Sequence, residues 1–321
     1  MSRIVSLGPV RQEIYLIDHD DLAPTNIGKE AIFGKVLVGK DAEIDKLVYS
    51  VGGSGFNSAA MFAQYGHESI LVSNIAEDAA GEAVIAALDR AGIDNSYLNF
   101  IPNTPTSTSV ILLDSKTGAK TALSHLGATK TFENLDPSDL ELIKPNWLYA
   151  TSLNGDLKTL GNFFKKAKEN DIKVLFNPGQ KDFDDPQKLT SLLQKVDILV
   201  TNKQEAAQLV PGAILAELLY HLNNCVETVV ITAGAMGGIA GNRQETLRFG
   251  IYEDVKAKDR TGAGDAFAAG FLAHYAAGRS FEDSLVFASA NATSVVSKVG
   301  VGPHFISKKT QLHPMPMQKL N

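Results

Sequence analysis

The sequence predicts an α/β protein with a mostly parallel central sheet covered on both faces, and three observations lead there. Apolar runs of strand length alternate with stretches of helical periodicity along most of the chain. At 321 residues and 44% apolar content, the chain is long for an average domain but ordinary for one large α/β unit with a substantial core. Polar or small residues, Asn177, Asn202, Thr232 and Gly234, follow successive runs at the carboxyl ends of the strands, where open sheets bind ligands.

In chain order, residues 4–7 form the first strand, and 69–73, 147–150, 174–177, 198–201 and 229–232 form further strands. Helices lie between them at 81–91, 157–169 and 205–209. Two regions interrupt the alternation and read as hairpins, 32–50 and 106–124, the second turning at Ser115, Lys116, Thr117 and Gly118. No internal repeat is evident, so 1–321 is one domain, with 313–321 expected to fray.

Composition narrows the function. A formal charge of −6 and the absence of any basic run argue against a nucleic-acid surface. The single cysteine, Cys225, has no partner for an internal disulfide and reads as a packed thiol in a reduced, cytoplasmic chain. Residues 1–10 are too poor in apolar residues for a signal peptide, and no run has the length of a membrane span.

Two motifs carry the chemistry. Near the C-terminal end, Asp259, Arg260, Thr261, Gly262, Ala263, Gly264 and Asp265 lead into an apolar helical run. Small residues before a helix let backbone N–H groups converge on an anion at the positive end of the helix dipole. A carboxylate beside that anion site makes sense if a hydroxyl between them must lose a proton, as a phosphoryl acceptor does. Alternatively, Asp265 is an ordinary first-turn acid. The second motif, Gly52, Gly53, Ser54, Gly55, Phe56 and Asn57, opens a short Ala-rich helix closed by Gly66. Glycine permits close backbone approach, and Asn57 offers both donor and acceptor, a pairing suited to a polyhydroxylated ligand. Its plain alternative is a tight turn with Asn57 as a cap.

Together the motifs resemble the paired signatures of the PfkB (ribokinase-like) kinases, an early GGxGxN element on the substrate and a late DTxGAGD element holding the anion hole and catalytic aspartate. Arg260 departs from the late signature. Asn202, Lys203, Gln204 and Glu205 resemble the family's NxxE element; Thr232, Ala233 and Gly234 with Gly237 resemble its turn beneath the ATP phosphates; and 288–292, including Asn291, resembles the helix beside the adenine. The resemblance implies a ribokinase-like three-layer αβα fold with a small β lid formed by segments near 11–20, 32–50 and 106–124. It also implies ATP as phosphoryl donor, Mg2+ organised indirectly through Glu205, a monovalent cation such as K+ near Asp259 and Gly300, and a homodimer clasped through the lid strands. Asp265 would be the base and Gly262, Ala263 and Gly264 the anion hole. Asn177, Asn202, Thr232, Gly234, Gly237 and Asn291 would line the nucleotide.

Substrate identity is less defined. Arg11, Glu13, Gly52, Gly53 and Asn57 are the candidate substrate residues, and Glu13 stands where the family usually has aspartate. Arg11 either admits an anionic substrate or pairs with Glu13. Ser54 replaces the lysine of ribokinase itself. A sugar or sugar derivative leads as acceptor; a nucleoside, with Phe56, Met61 and Phe62 near a base, is the second reading, and a non-catalytic ligand sensor the third. Three features carry less weight. Residues 34–41 approach a P-loop, but Asp41 replaces its hydroxyl residue. Asp18, His19, Asp20 and Asp21 read as a solvated acidic loop. His125 and His274 read as structural, and none of the seven histidines shows zinc-site spacing.

Overall fold

The computed structural model describes residues 1–18, 24–27, 30–33, 43–114, 119–253, 255, 262–297 and 304–320, with 24–27 and 30–33 as backbone. Asp259, Arg260, Thr261, Gly300, the 34–41 segment, His19, Asp20, Asp21 and the 115–118 turn lie outside the described residues.

In chain order the strands are β1 (Arg3–Leu7), β2 (Arg11–Ile17), β3 (Pro24–Ile27), β4 (Glu30–Phe33), β5 (Lys46–Gly52), β6 (Glu68–Ile75), β7 (Leu98–Phe100), β8 (Thr108–Leu113), β9 (Lys120–His125), β10 (Trp147–Thr151), β11 (Lys173–Asn177), β12 (Ile198–Asn202), β13 (Thr228–Thr232), β14 (Gly238–Gly241), β15 (Thr246–Phe249) and β16 (Met317–Leu320). The helices are α1 (Ser54–Tyr65), α2 (Ala79–Ala91), α3 (Asp139–Ile143), α4 (Leu157–Glu169), α5 (Pro186–Leu193), α6 (Lys203–Leu209), α7 (Leu215–Asn223), α8 (Ala263–Tyr275) and α9 (Phe281–Val296).

One sheet runs in the order β16-β15-β14-β13-β12-β11-β10-β1-β6-β7, parallel from β13 to β7 and antiparallel from β13 to β16. Period-two alternation sorts its side chains into two cores. Val5, Leu7, Leu148, Val174 and Phe176 pack with α4, α5 and α7, whereas Ile4, Tyr149, Leu175 and Val200 pack with α1, α8 and α9. This is the three-layer αβα arrangement. The strands and helices expected from sequence all form, with ends shifted by a few residues at most.

A second sheet, β5-β2-β8-β9, makes the lid, and the β8–β9 hairpin matches the expected 106–124 segment. The described ends of the 32–50 segment do not pair with each other. Its first residues belong to β4, which pairs with β3, while β5 pairs antiparallel with β2. Nor do the described residues of the tail, 313–320, fray. Met315 is buried in the core, the Gly250 N–H donates to the Pro316 carbonyl at 2.8 Å, and β16 pairs with β15, covering what would be an open sheet edge.

Candidate active site

The carboxyl ends of β1, β10, β11, β12 and β13 form the rim that the lid and the N-termini of α1 and α8 overlook. Helix α8 begins at Gly262, whose φ of +76° is a left-handed conformation that only glycine adopts without strain. No described side chain caps this end, and no described group lies within 4 Å of where a side chain on Gly262 or Gly264 would start. The first-turn N–H groups have no partner inside the helix and make no hydrogen bond to the described residues.

Asp265 sits in that first turn. Its carboxylate accepts no hydrogen bond from the described residues. Burial is the main influence on its pKa; the Arg11 guanidinium pulls it down, the Glu205 carboxylate pushes it up, and it comes to rest at about 6. The residue is half-buried, so water still reaches it. A carboxylate poised near neutrality beside unsatisfied N–H groups can accept a proton while those groups hold an anion.

The early motif is built by close packing. Gly53 adopts φ +99°, and a side chain there would run into the Pro9 carbonyl. The Gly55 N–H donates to that carbonyl at 3.0 Å, drawing α1 onto the β1–β2 connection. Ser54 Oγ donates to Thr151 Oγ1 at 2.9 Å, tying the helix to the end of β10. Asn57 does not cap α1; its side-chain amide makes no hydrogen bond to the described residues and stays available.

On β2, Arg11 Nε lies 3.3 Å from Glu13 Oε1, and the Tyr15 hydroxyl donates to Glu13 Oε2 at 2.9 Å. Any side chain on Gly52 would collide with the Glu13 carboxylate, so this glycine makes room for it. Sequence reasoning missed Tyr15, although its place two residues after Glu13 on an alternating strand puts it on the same face. The strand register aligns Ser50, Glu13, Ser109 and Ser124 in one polar row, with Ser109 and Ser124 hydroxyls 2.8 Å apart.

Along the rim, Asn202 caps α6 by accepting from the Gln204 and Glu205 N–H groups at 2.9 and 3.0 Å. Glu205 Oε2 in turn accepts from Asn202 N–H at 3.0 Å and Thr201 Oγ1 at 2.9 Å, while Oε1 has no partner among the described residues. Asn202 pairs in register with Thr232, and Asn177 donates to the Val200 carbonyl at 3.0 Å. Gly234 and Gly237 form the turn just beyond β13.

Asn291 departs from the expected nucleotide contact. It is wholly buried, its Nδ2 donates to the Ala266 carbonyl at 2.7 Å and its Oδ1 accepts from Ile306 N–H at 3.0 Å. Both polar ends are spent joining α9 to α8 and to the chain after it. His274 is structural as expected, bonded to the Tyr65 hydroxyl at 2.9 Å and stacked on Phe287. His125 is exposed on β9. Among the described residues no cluster of three or more acidic, histidine or cysteine side chains could hold a metal, and no helix is long and apolar enough to cross a membrane.

Comparison with known proteins agrees with this architecture. The sequence signature of the pfkB family carbohydrate kinases matches residues 29–308. A ribokinase of Haemophilus influenzae is 29% identical over 286 residues, covering 83% of this chain and 86% of the relative. A nucleoside kinase of Methanocaldococcus jannaschii is 26% identical over 253 residues, covering 78% and 80%. The solved structure of Arabidopsis thaliana ribokinase complexed with ribose and ATP superposes with a TM-score of 0.76 at 24% identity, covering 96% of each chain. This chain therefore belongs to the PfkB family of carbohydrate kinases, phosphotransferases whose acceptor is an alcohol group.

Proposed function

We propose that this protein is an ATP-dependent kinase that phosphorylates a hydroxyl of a sugar or sugar derivative, with Asp265 as general base. The observation that carries the reading is Asp265, held near neutrality in the first turn of α8 beside the uncapped N–H groups at Gly262, Ala263 and Gly264. In the reaction the acceptor oxygen bonds to the γ-phosphorus of ATP, the bond from that phosphorus to the β,γ-bridging oxygen breaks, and the hydroxyl proton passes to Asp265. The backbone N–H groups stabilise negative charge on the transferred phosphoryl.

Arg11, Glu13, Gly52, Gly53 and Asn57 bind the acceptor in this proposal. The polar row on the lid and the free amide of Asn57 suit a ligand rich in hydroxyls. Arg11 already has a carboxylate partner in Glu13, which favours a neutral polyol over a phosphorylated one. Asn177, Asn202, Thr232, Gly234 and Gly237 would border the nucleotide. Mg2+ fits the remaining Glu205 oxygen through water better than a protein cage, since the ion dehydrates reluctantly and takes most ligands from phosphate and solvent. When bound, it supplies charge neutralisation at the phosphates.

The nucleoside reading loses support because Phe56 is buried and Met61 and Phe62 are wholly so, which leaves no base-stacking surface among them. A sensor without catalysis has no use for a base at an uncapped helix end. ATP consumption measured across pentoses, hexoses, their phosphates and nucleosides tests the assignment. Turnover is expected with an unphosphorylated sugar or sugar derivative. Turnover with nucleosides alone, or none with ligand-induced thermal stabilisation, would contradict it.

A further inference from the structure

Tyr149 stands at the middle of β10, beneath α1 and α8, and no solvent reaches it. Its ring meets Phe62 edge-on at 5.3 Å, which fixes the side chain. Its hydroxyl has no hydrogen-bond partner among the described residues, an unfavourable arrangement that phenylalanine would avoid with the same packing. The group is close enough to Asp265 for that carboxylate to add to burial in raising the phenol above its ordinary range. The two side chains have complementary needs: a buried donor without an acceptor, and a carboxylate that no described residue orients. General bases are normally aligned by a third group.

We propose that the Tyr149 hydroxyl is a positioning donor for Asp265, aligning its carboxylate in the loaded cleft. The inference rests on the reading of Asp265 as base. The other charged groups acting on Asp265 are Arg11 on β2, which favours its ionised form, and Glu205 on α6, which opposes it. Tyr149 adds a third influence from β10, on the side of the ionised form.

Tyr149→Phe tests this, because it removes one oxygen and keeps the ring against Phe62. Losing the donor is expected to move the acidic limb of kcat, which reports the loaded enzyme, upward by about one pH unit, with ATP affinity within about twofold of wild type. Isotope-edited NMR of the Asp265 carboxyl in the complex with a non-hydrolysable ATP analogue should show the same displacement, independent of turnover. Unchanged limbs and an unchanged carboxyl titration would overturn the inference, as would a gain in thermal stability with no change in either. Asp265→Asn serves as the control: if it is inactive while Tyr149→Phe leaves the profile unmoved, the positioning role alone fails. If Asp265→Asn is fully active, the base assignment fails and the inference with it.

Discussion

At the scale of single residues, Asp265 combines a catalytic opportunity with a cost in stability. Its pKa rises from 3.8 to about 6 on folding, so ionising it opposes folding. For a raised carboxyl, folded-state stability falls as pH climbs from about 4 to about 6 and stays lower above that. The full displacement corresponds to up to ~3 kcal/mol, less where solvent reaches the side chain. Asp265→Asn should therefore melt several degrees above wild type at pH 7.5, measured by calorimetry, and the two proteins should converge at pH 4. The wild-type kcat/KM should fall tenfold per pH unit below about 6. Glu13 makes a different prediction. Glu13→Gln keeps the side chain's length but ends the ion pair with Arg11, so KM for the acceptor should rise ~10- to 100-fold while KM for ATP holds. Steady-state kinetics with each substrate varied separates the two. Both acids were legible in the sequence because each sits in a motif, Asp265 after small residues at a helix start and Glu13 just past the first strand. Asn291 misled because a motif resemblance fixes position along the chain and says nothing of which way a side chain turns. Tyr149 offered no sequence signal, since an aromatic in a central strand reads as core.

At the scale of elements, the turn into α1 and the C-terminal strand carry the most exposed expectations. Gly53→Ala places a side chain against the Pro9 carbonyl at φ +99°, so the α1 N-terminus must shift; a loss of ~2 kcal/mol or more is expected in urea unfolding, with weaker acceptor binding. Deleting 313–321 should lower Tm and promote aggregation visible by light scattering, because it removes buried Met315 and exposes the β15 edge. A truncated protein as stable and soluble as the full chain would show that β16 is dispensable. The strands of the parallel sheet were readable because burial on both faces writes them as apolar runs. The C-terminal strand was not, since Met317, Gln318, Lys319 and Leu320 have too little pattern, and their pairing is set by an edge 70 residues upstream. The 32–50 segment misled for the same reason: strand character is local, but β5 finds its partner in β2.

At the scale of the whole molecule, the lid presents an apolar row to solvent. Register aligns Tyr49, Ile14, Val110 and Leu123 across its four strands, with Tyr49 64% and Leu123 63% exposed. Such a row on a sheet face suits burial against a second copy, the homodimer that the family resemblance implies. Wild type is expected to sediment as a dimer and Leu123→Glu as a monomer at the same concentration; wild type sedimenting as a monomer would contradict this expectation. In the proposed reaction the lid, the sheet rim and the two helix N-termini serve one transfer, and the decisive measurement is single-turnover phosphorylation by Asp265→Asn alongside ATP affinity by titration calorimetry. The account predicts unchanged ATP binding and a rate ~10²- to 10⁴-fold below wild type. A near wild-type rate would contradict it.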